Sequence, residues 1–254
     1  MKRIVLIMCT MFFCAASIAE QITINWLNTD GTRNRTTSCT IGGDVILPYT
    51  PTKYGYTFQG WRANYTPIEY LESTGTQYID TGYVPDIGDI LAIDTTVHIT
   101  KDVSNTWLTG WYKGPSNSML LGTYTSKFYF TYNLDNNATY YKLDTINKHR
   151  IRFNVNGGIY IDDILVSGTV ANNTPLTVTP TRIFIFARYN GSSPDSLIRA
   201  KLYDFKIIIN GTLVRDFIPV LDKDGTPCMY DKVEGKFYYN AGTGQFIAGP
   251  IINE

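Results

Sequence analysis

A chain of 254 residues can hold one large β domain and a smaller module beside it. Charged residues make up only 17%, while Tyr, Phe and Trp number 19, 12 and 4, a composition suited to the pleated, half-buried surfaces of an all-β protein. A formal net charge of zero argues against nucleic acid or an anionic membrane as the main partner.

Residues 1–19 read as a leader. Lys2 and Arg3 supply the charged start, Ile4 to Cys14 an apolar run too short to span a bilayer, and Ser17-Ile18-Ala19 a small-x-small cleavage site. Neither Cys9 nor Cys14 follows the small residue that a lipid-anchor site needs. The expectation is an exported chain, secreted, periplasmic or at the cell surface, with no further apolar span to insert in a membrane. Two cysteines then remain, Cys39 and Cys228; an oxidising compartment allows a bridge, and spacing leaves two separate thiols equally open. The style of the leader is bacterial, so the Asn-x-Thr triplets at Asn64, Asn137 and Asn210 are expected to be turn and loop residues.

A small β module is expected over residues 20–64. In QITINWLNTDGT, Ile22, Ile24 and Trp26 alternate with Thr23 and Asn25, and Asp30-Gly31 is a hairpin signal. A strand Asp44–Leu47 follows, then Pro48 and Pro51 forbid regular pairing. The run CTIGGDVILPYTPTKYGYTFQGW, Cys39 to Trp61, resembles the Listeria–Bacteroides repeat, a small β-grasp-like module of bacterial surface proteins. The resemblance implies Tyr56, Phe58 and Trp61 as core and a role as spacer or packing partner. The repeat's usual final strand is missing, since the chain passes from Trp61 directly into Tyr65-Thr-Pro67.

From residue 65 to 254 turn signals recur at short intervals and no helical period lasts ten residues. The stretch EYLESTGTQYIDTGY, Glu69 to Tyr83, predicts a turn at Ser73-Thr74-Gly75 and a strand Gln77–Thr81, set beside the closing FYYNAGTGQF, Phe237 to Phe246. Asp89 to Thr100 alternates cleanly, with Leu91, Ile93, Val97 and Ile99 on one face. Further strands are expected over Thr106–Tyr112, Ser118–Thr123, Lys127–Asn133, His149–Val155, Ile159–Ile161 and Ile164–Val166. Arg182 to Arg188 is apolar on both faces, as in a central buried strand. Lys201–Ile209 and Leu213–Ile218 flank an Asn210-Gly211 hairpin, and a last pair lies around Met229–Tyr230 and Lys236–Tyr239. About a dozen antiparallel strands predict a two-sheet β-sandwich of jelly-roll type. The motifs ESTGTQYIDTGY, GGIYIDDILV and INGTLVRDFIPVLDKDGTPCMYDKVEGKFYYNAGTG resemble concanavalin A-like, laminin G-like domains of secreted bacterial proteins. The resemblance implies glycan binding or adhesion, and in some branches glycoside hydrolysis.

Hydrolysis on such a fold needs two carboxyl groups about 5–9 Å apart, which on one strand means acidic residues at alternate positions. No such run occurs. Glu69, Glu72 and Glu234 lie in turn-like contexts, Asp162-Asp163 is adjacent and turn-like, and neither His98 nor His149 has a Ser or Cys close by in sequence. Calcium is the one cofactor the pattern leaves open, at Asp222 and Asp224, where a simple turn explains the same residues. Sugar rings stack on aromatic faces while Asn and Arg take hydroxyls, and two loops mix these residue types. They nominate Trp107, Trp111, Tyr112, Arg188, Tyr189 and Asn190, against the alternative that the tryptophans fill the core.

The reading that follows is a non-enzymatic binding protein for glycans or cell-surface ligands. The alternatives are a structural or adhesive module with protein partners and a glycoside hydrolase with an unrecognised site. Cleavage after Ala19 should give a mature amino terminus at Glu20; intact-mass measurement of exported protein checks this, and a form retaining Met1 would refute it.

Overall fold

The cleanest alternation in the sequence lies at the middle of the structure. The computed structural model describes residues 8–10, 21–27, 33–40, 54, 65–155, 158–167 and 175–252. In it, Leu91–Ile99 runs antiparallel to His149–Val155 on one side and to Arg199–Ile209 on the other. Leu91, Ile93, Val97 and Ile99 are buried on its inner face, as the period of two requires.

The larger sheet takes the order Ile164–Ser167, Gly158–Ile161, His149–Val155, Leu91–Ile99, Arg199–Ile209, Thr212–Leu221, Pro227–Asp231 and Lys236–Tyr238. The second sheet runs Lys127–Lys142, Ser118–Tyr124, Thr106–Tyr112, Arg188–Tyr189 and Pro194–Asp195. Among the described strands the pairings are antiparallel except where Arg188–Tyr189 meets Thr106–Tyr112 in parallel, Tyr189 opposite Trp111; an isolated parallel bridge also joins Trp107 and Leu197. One core draws Ile93, Ile151, Phe153, Phe205 and Ile207 from the larger sheet and Leu108, Met119, Leu121, Phe128 and Phe130 from the smaller. The architecture is therefore an all-β sandwich, held by side chains that each contribute roughly 1.5–3 kcal/mol when fully buried.

Turn chemistry matches the hairpins it was expected to make. Asn210 and Gly211 take φ values of 50° and 79°, and Asp162 and Asp163 take 51° and 65°, the positive pairs that a two-residue hairpin turn demands. Outside the core, Asp94 is nearly buried and is clasped at both oxygens by Arg150 Nε and Nη2, at 3.0 and 2.7 Å.

Two strands differ from the sequence reading. The expected strand Gln77–Thr81 is reduced to Ile79–Asp80, which pairs with Phe184–Ile185 rather than with Lys236–Tyr239. The opening stretch does meet the closing one, at other residues. Leu71–Thr74 pairs with Ile247–Ala248 and with the start of Arg199–Ile209. The Ala241 and Thr243 amides donate to the Tyr78 and Thr76 carbonyls. The cause lies in Gln77, whose side-chain oxygen accepts from the Thr74 amide and hydroxyl and so curls the chain. The expected central strand Arg182–Arg188 is buried as foreseen, but Phe186 adopts φ 68° and breaks it into Phe184–Ile185 and Arg188–Tyr189, which serve different sheets.

Residues 67–254 form one compact unit and residues 1–66 another. In the smaller unit, residues 1–66, Gln21–Leu27 and Arg33–Thr40 pair antiparallel, with Trp26 buried and its indole N–H donating to Thr37 Oγ1 at 2.7 Å. Met8–Thr10, within the expected leader, pairs antiparallel with Thr23–Asn25. The segment that resembles the Listeria–Bacteroides repeat lies outside the described residues apart from Cys39, Thr40 and Tyr54.

Gly242 sits where closing and opening segments cross: a Cβ there would lie 2.2 Å from the Thr76 carbonyl oxygen. Gly242→Ala should therefore destabilise the sandwich by about 1–3 kcal/mol, read as a lowered urea midpoint. An unchanged midpoint would show that the crossing does not hold the fold.

Cys39 and Cys228 are both free thiols. Burial, with the nearby Asp222 charge second, pushes the Cys228 thiol up to about 12 from an ordinary 9.0. Native protein should not be alkylated at Cys228 at pH 8, where only about one molecule in 10,000 carries the thiolate. The folded value lies above the unfolded one, so this group's contribution to stability is intact below pH 9 and is lost as pH rises from 9 toward 12. Mass spectrometry after iodoacetamide treatment, native against denatured, measures the first effect.

Candidate functional site

Strand Ser118–Tyr124 and the first half of Lys127–Lys142 place apolar residues on both faces of the smaller sheet. Met119, Leu121, Phe128 and Phe130 face the core, while Leu120 and Tyr129 turn the other way. There they join Trp107 in a second buried cluster, flanked by Tyr112 and Ala138.

Trp107 reaches that face because of a register shift. Trp111 pairs with Met119 and Thr109 with Leu121, but Trp107 pairs with Gly122, so Leu108 is an extra residue in its strand. Strict alternation would put Trp107 and Trp111 on one face. The bulge separates them: Trp111 is 0% exposed in the core, and Trp107 is 2% exposed on the outer face. Gly122 makes the room, since a Cβ there would lie 3.0 Å from Trp107 Cε3 and 2.7 Å from Trp107 Cα.

Backbone in the left-handed region supports the same residue. The Trp107 amide donates to the carbonyl of Ser196, which has φ 51°, and the Leu108 carbonyl accepts from Phe186, with φ 68°. Asn105, at φ 62°, lines the site. Such conformations cost of order 1–3 kcal/mol each and cluster at binding and catalytic sites.

The result is an open depression of about 460 Å³. Trp107, Leu120 and Tyr129 form its floor, with Asn105, Tyr112, Tyr124, Tyr140 and Arg188 around them. Its rings meet edge to face: Trp107 and Tyr129 at 5.3 Å, Tyr129 and Tyr140 at 5.1 Å, Tyr124 and Tyr129 at 5.5 Å. Tyr124 is 40% exposed and Tyr140 47%. The buried Trp107 Nε1 has no hydrogen-bond partner among the described residues.

Arg188 closes one side. Its Cζ lies 5.5 Å from the Trp107 ring centroid and 5.2 Å from that of Tyr112, within cation–π range of both. Asp195 Oδ1 accepts from Arg188 Nε at 2.9 Å, and Asp195 Oδ2 accepts from Asn190 Nδ2 at 3.1 Å.

Of the six residues nominated by sequence, Trp107, Tyr112 and Arg188 therefore come together. The other three do not. Trp111 is a core residue whose Nε1 donates to Asn117 Oδ1 at 3.0 Å. Tyr189 stacks on Phe184 at 6.1 Å and lines a separate depression of about 450 Å³ with Lys113 and Arg182. Asn190 builds its own turn, its Oδ1 accepting from the Ser192 and Ser193 amides. Tyr124, Tyr129, Tyr140, Leu120 and Asn105 were missed. The available signal was the apolar character of both faces of Lys127–Tyr132, which marks an outer face that is covered rather than bathed in water.

Among the described residues, the acidic side chains singled out in the sequence are each engaged by neighbouring groups. Asp222 Oδ1 accepts from the Asp224 and Thr226 amides and Oδ2 from the Tyr239 hydroxyl, while Lys223 Nζ contacts Asp224 at 2.5 Å, so the loop is a turn with its carboxylates engaged. Among the described residues no group of three or more His, Cys, Asp or Glu side chains is placed to hold a metal. Glu69, Glu72 and Glu234 are ion-paired with Lys148, Lys201 and Arg215. Asp162 accepts the Arg150 amide and lies 2.6 Å from His149 Nδ1. His98 Nε2 lies 3.0 Å from the Thr145 carbonyl oxygen. No described helix is long and apolar enough to cross a membrane.

No protein-family model matches the chain, and no curated protein matches it in sequence. Among solved structures it is similar to a candidate carbohydrate-binding protein from Bacteroides ovatus ATCC 8483, at 10% identity and a TM-score of 0.48, over 94% of this chain and 70% of that one.

Proposed function

We propose that the protein is an exported, non-catalytic carbohydrate-binding module of the concanavalin A-like, laminin G-like kind, and that it binds glycans in the depression floored by Trp107, Leu120 and Tyr129. The observation that carries this reading is the pairing of exposed tyrosine rings with a buried, unpartnered indole N–H in one open depression. Tyr124 and Tyr140 offer ring faces to the C–H surface of a sugar, and Asn105 and Arg188 offer polar groups to its hydroxyls. The size suits one to a few sugar rings, since ligand sites of this kind run about 300–1,000 Å³.

Screening the full-length protein on a glycan array, then titrating the strongest ligand, tests the reading. Tyr140→Ala and Tyr124→Ala should each weaken binding about tenfold, a larger effect than the modest fall in thermal midpoint expected from rings that are half-buried against Tyr129. Binding that survives both substitutions unchanged would move the site elsewhere.

A further inference from the structure

We infer that the depression selects acidic sugars, with Arg188 receiving the carboxylate. The inference rests on the glycan reading above and names the class of glycan. Among the described lining residues Arg188 is the single charged group, and none of them is Asp or Glu. Asn105 and the tyrosine hydroxyls can both donate and accept, so the guanidinium is what distinguishes this lining: a donor-only group with a full positive charge.

The nearest carboxylate does not cancel the cation's use. Both oxygens of Asp195 are already engaged, one by Arg188 Nε and the other by Asn190 Nδ2. Asp195 therefore grips the guanidinium from its Nε side. No hydrogen bond among the described residues engages the two Nη groups. Those two N–H groups form the edge of the fork that matches a carboxylate with two parallel hydrogen bonds. The rings of Trp107 and Tyr112 restrict the plane of the guanidinium, so little side-chain freedom is left to lose on binding.

A second cation lies toward the opposite side. Lys127 Nζ stands 5.7 Å from the ring centroid of Tyr140, which itself lies 5.1 Å from Tyr129. The aromatic row Tyr140, Tyr129, Trp107 thus has a lysine at one end and an arginine at the other, a charge pattern that favours a chain bearing carboxylates at more than one sugar. Asn190 contributes as a positioning residue, acting through Asp195. That assigns a role to a side chain which makes no contact with the depression itself.

The test uses the full-length protein and an array of uronate- and sialate-bearing oligosaccharides, each beside its carboxyl methyl ester, together with neutral oligosaccharides. The best acidic ligand and its ester are then titrated against wild type and Arg188→Gln. The acid should bind at least about tenfold more tightly than its ester, and Arg188→Gln should weaken the acid by more than it weakens the ester, so that the two bind alike in the variant. Equal binding of acid and ester, or binding of neutral members alone, overturns this inference and leaves the glycan reading standing. Acid selectivity that persists in Arg188→Gln overturns it as well. Absence of binding to any member removes both. Should the variant fail to fold, salt titration of wild type decides: the acid's affinity should fall as NaCl rises while the ester's holds, and matching salt curves refute the inference.

Discussion

The register between Leu91–Ile99 and Arg199–Ile209 is the constraint on which the sandwich depends. It joins residues about a hundred positions apart, and closing a loop of that size costs on the order of 4 kcal/mol before any contact is gained. The return is the pair of longest inward faces in the core: Leu91, Ile93 and Val97 from one strand, Leu202, Phe205 and Ile207 from the other. The chain between them supplies the second sheet, whose Phe128 and Phe130 pack on Phe153 and its neighbours. The chain outside them then wraps the start of Arg199–Ile209 with Leu71–Thr74 and Ile247–Ala248.

The binding face depends on a smaller departure, one extra residue at Leu108. Before the bulge the strand turns Trp107 outward; after it Trp111 points into the core. A slip of one residue in a strand exchanges its two faces, and here the exchange is confined to the strand's first turn of pleat. It leaves the smaller sheet with apolar residues on both sides. The inner side is covered by the larger sheet, the outer by Tyr112, Tyr124, Ala138 and Tyr140. Tyrosine suits that position because its ring covers apolar surface while its hydroxyl stays hydrated. A cover made of separate rings leaves hollows between them, and the depression is one of these.

The motifs at the two ends of the large unit acquire a physical meaning from the crossing of the chain on itself. In ESTGTQY the glutamine folds back on the Thr74 amide, and in YNAGTG the glycines let the closing segment pass within hydrogen-bonding distance of Thr76 and Tyr78. These residues lock the ends of the fold, and they lie on different elements from the residues that line the depression.

By itself the sequence determined the class of fold, most of the strands and the hairpin turns at Asp162-Asp163 and Asn210-Gly211, because these rest on local periodicity and on the backbone preferences of single residues. It also brought out Trp107, Tyr112 and Arg188 as candidates, through the mixture of aromatic and polar residues near turns. Only the tertiary structure decided which of them share a site. The parity of Trp107 and Trp111 is the same on paper, and a bulge that separates them is set by the fit of Gly122 and Leu121 on the neighbouring strand. Phe186 reads as a strand residue until the packing of two sheets forces its backbone into the left-handed region. Tyr140 lies past the point where the pattern of Lys127–Asn133 ends, and it joins the site because its ring packs against Tyr129, a contact that no local periodicity announces. A face of a sheet is a property of neighbours, and neighbours are chosen by the fold.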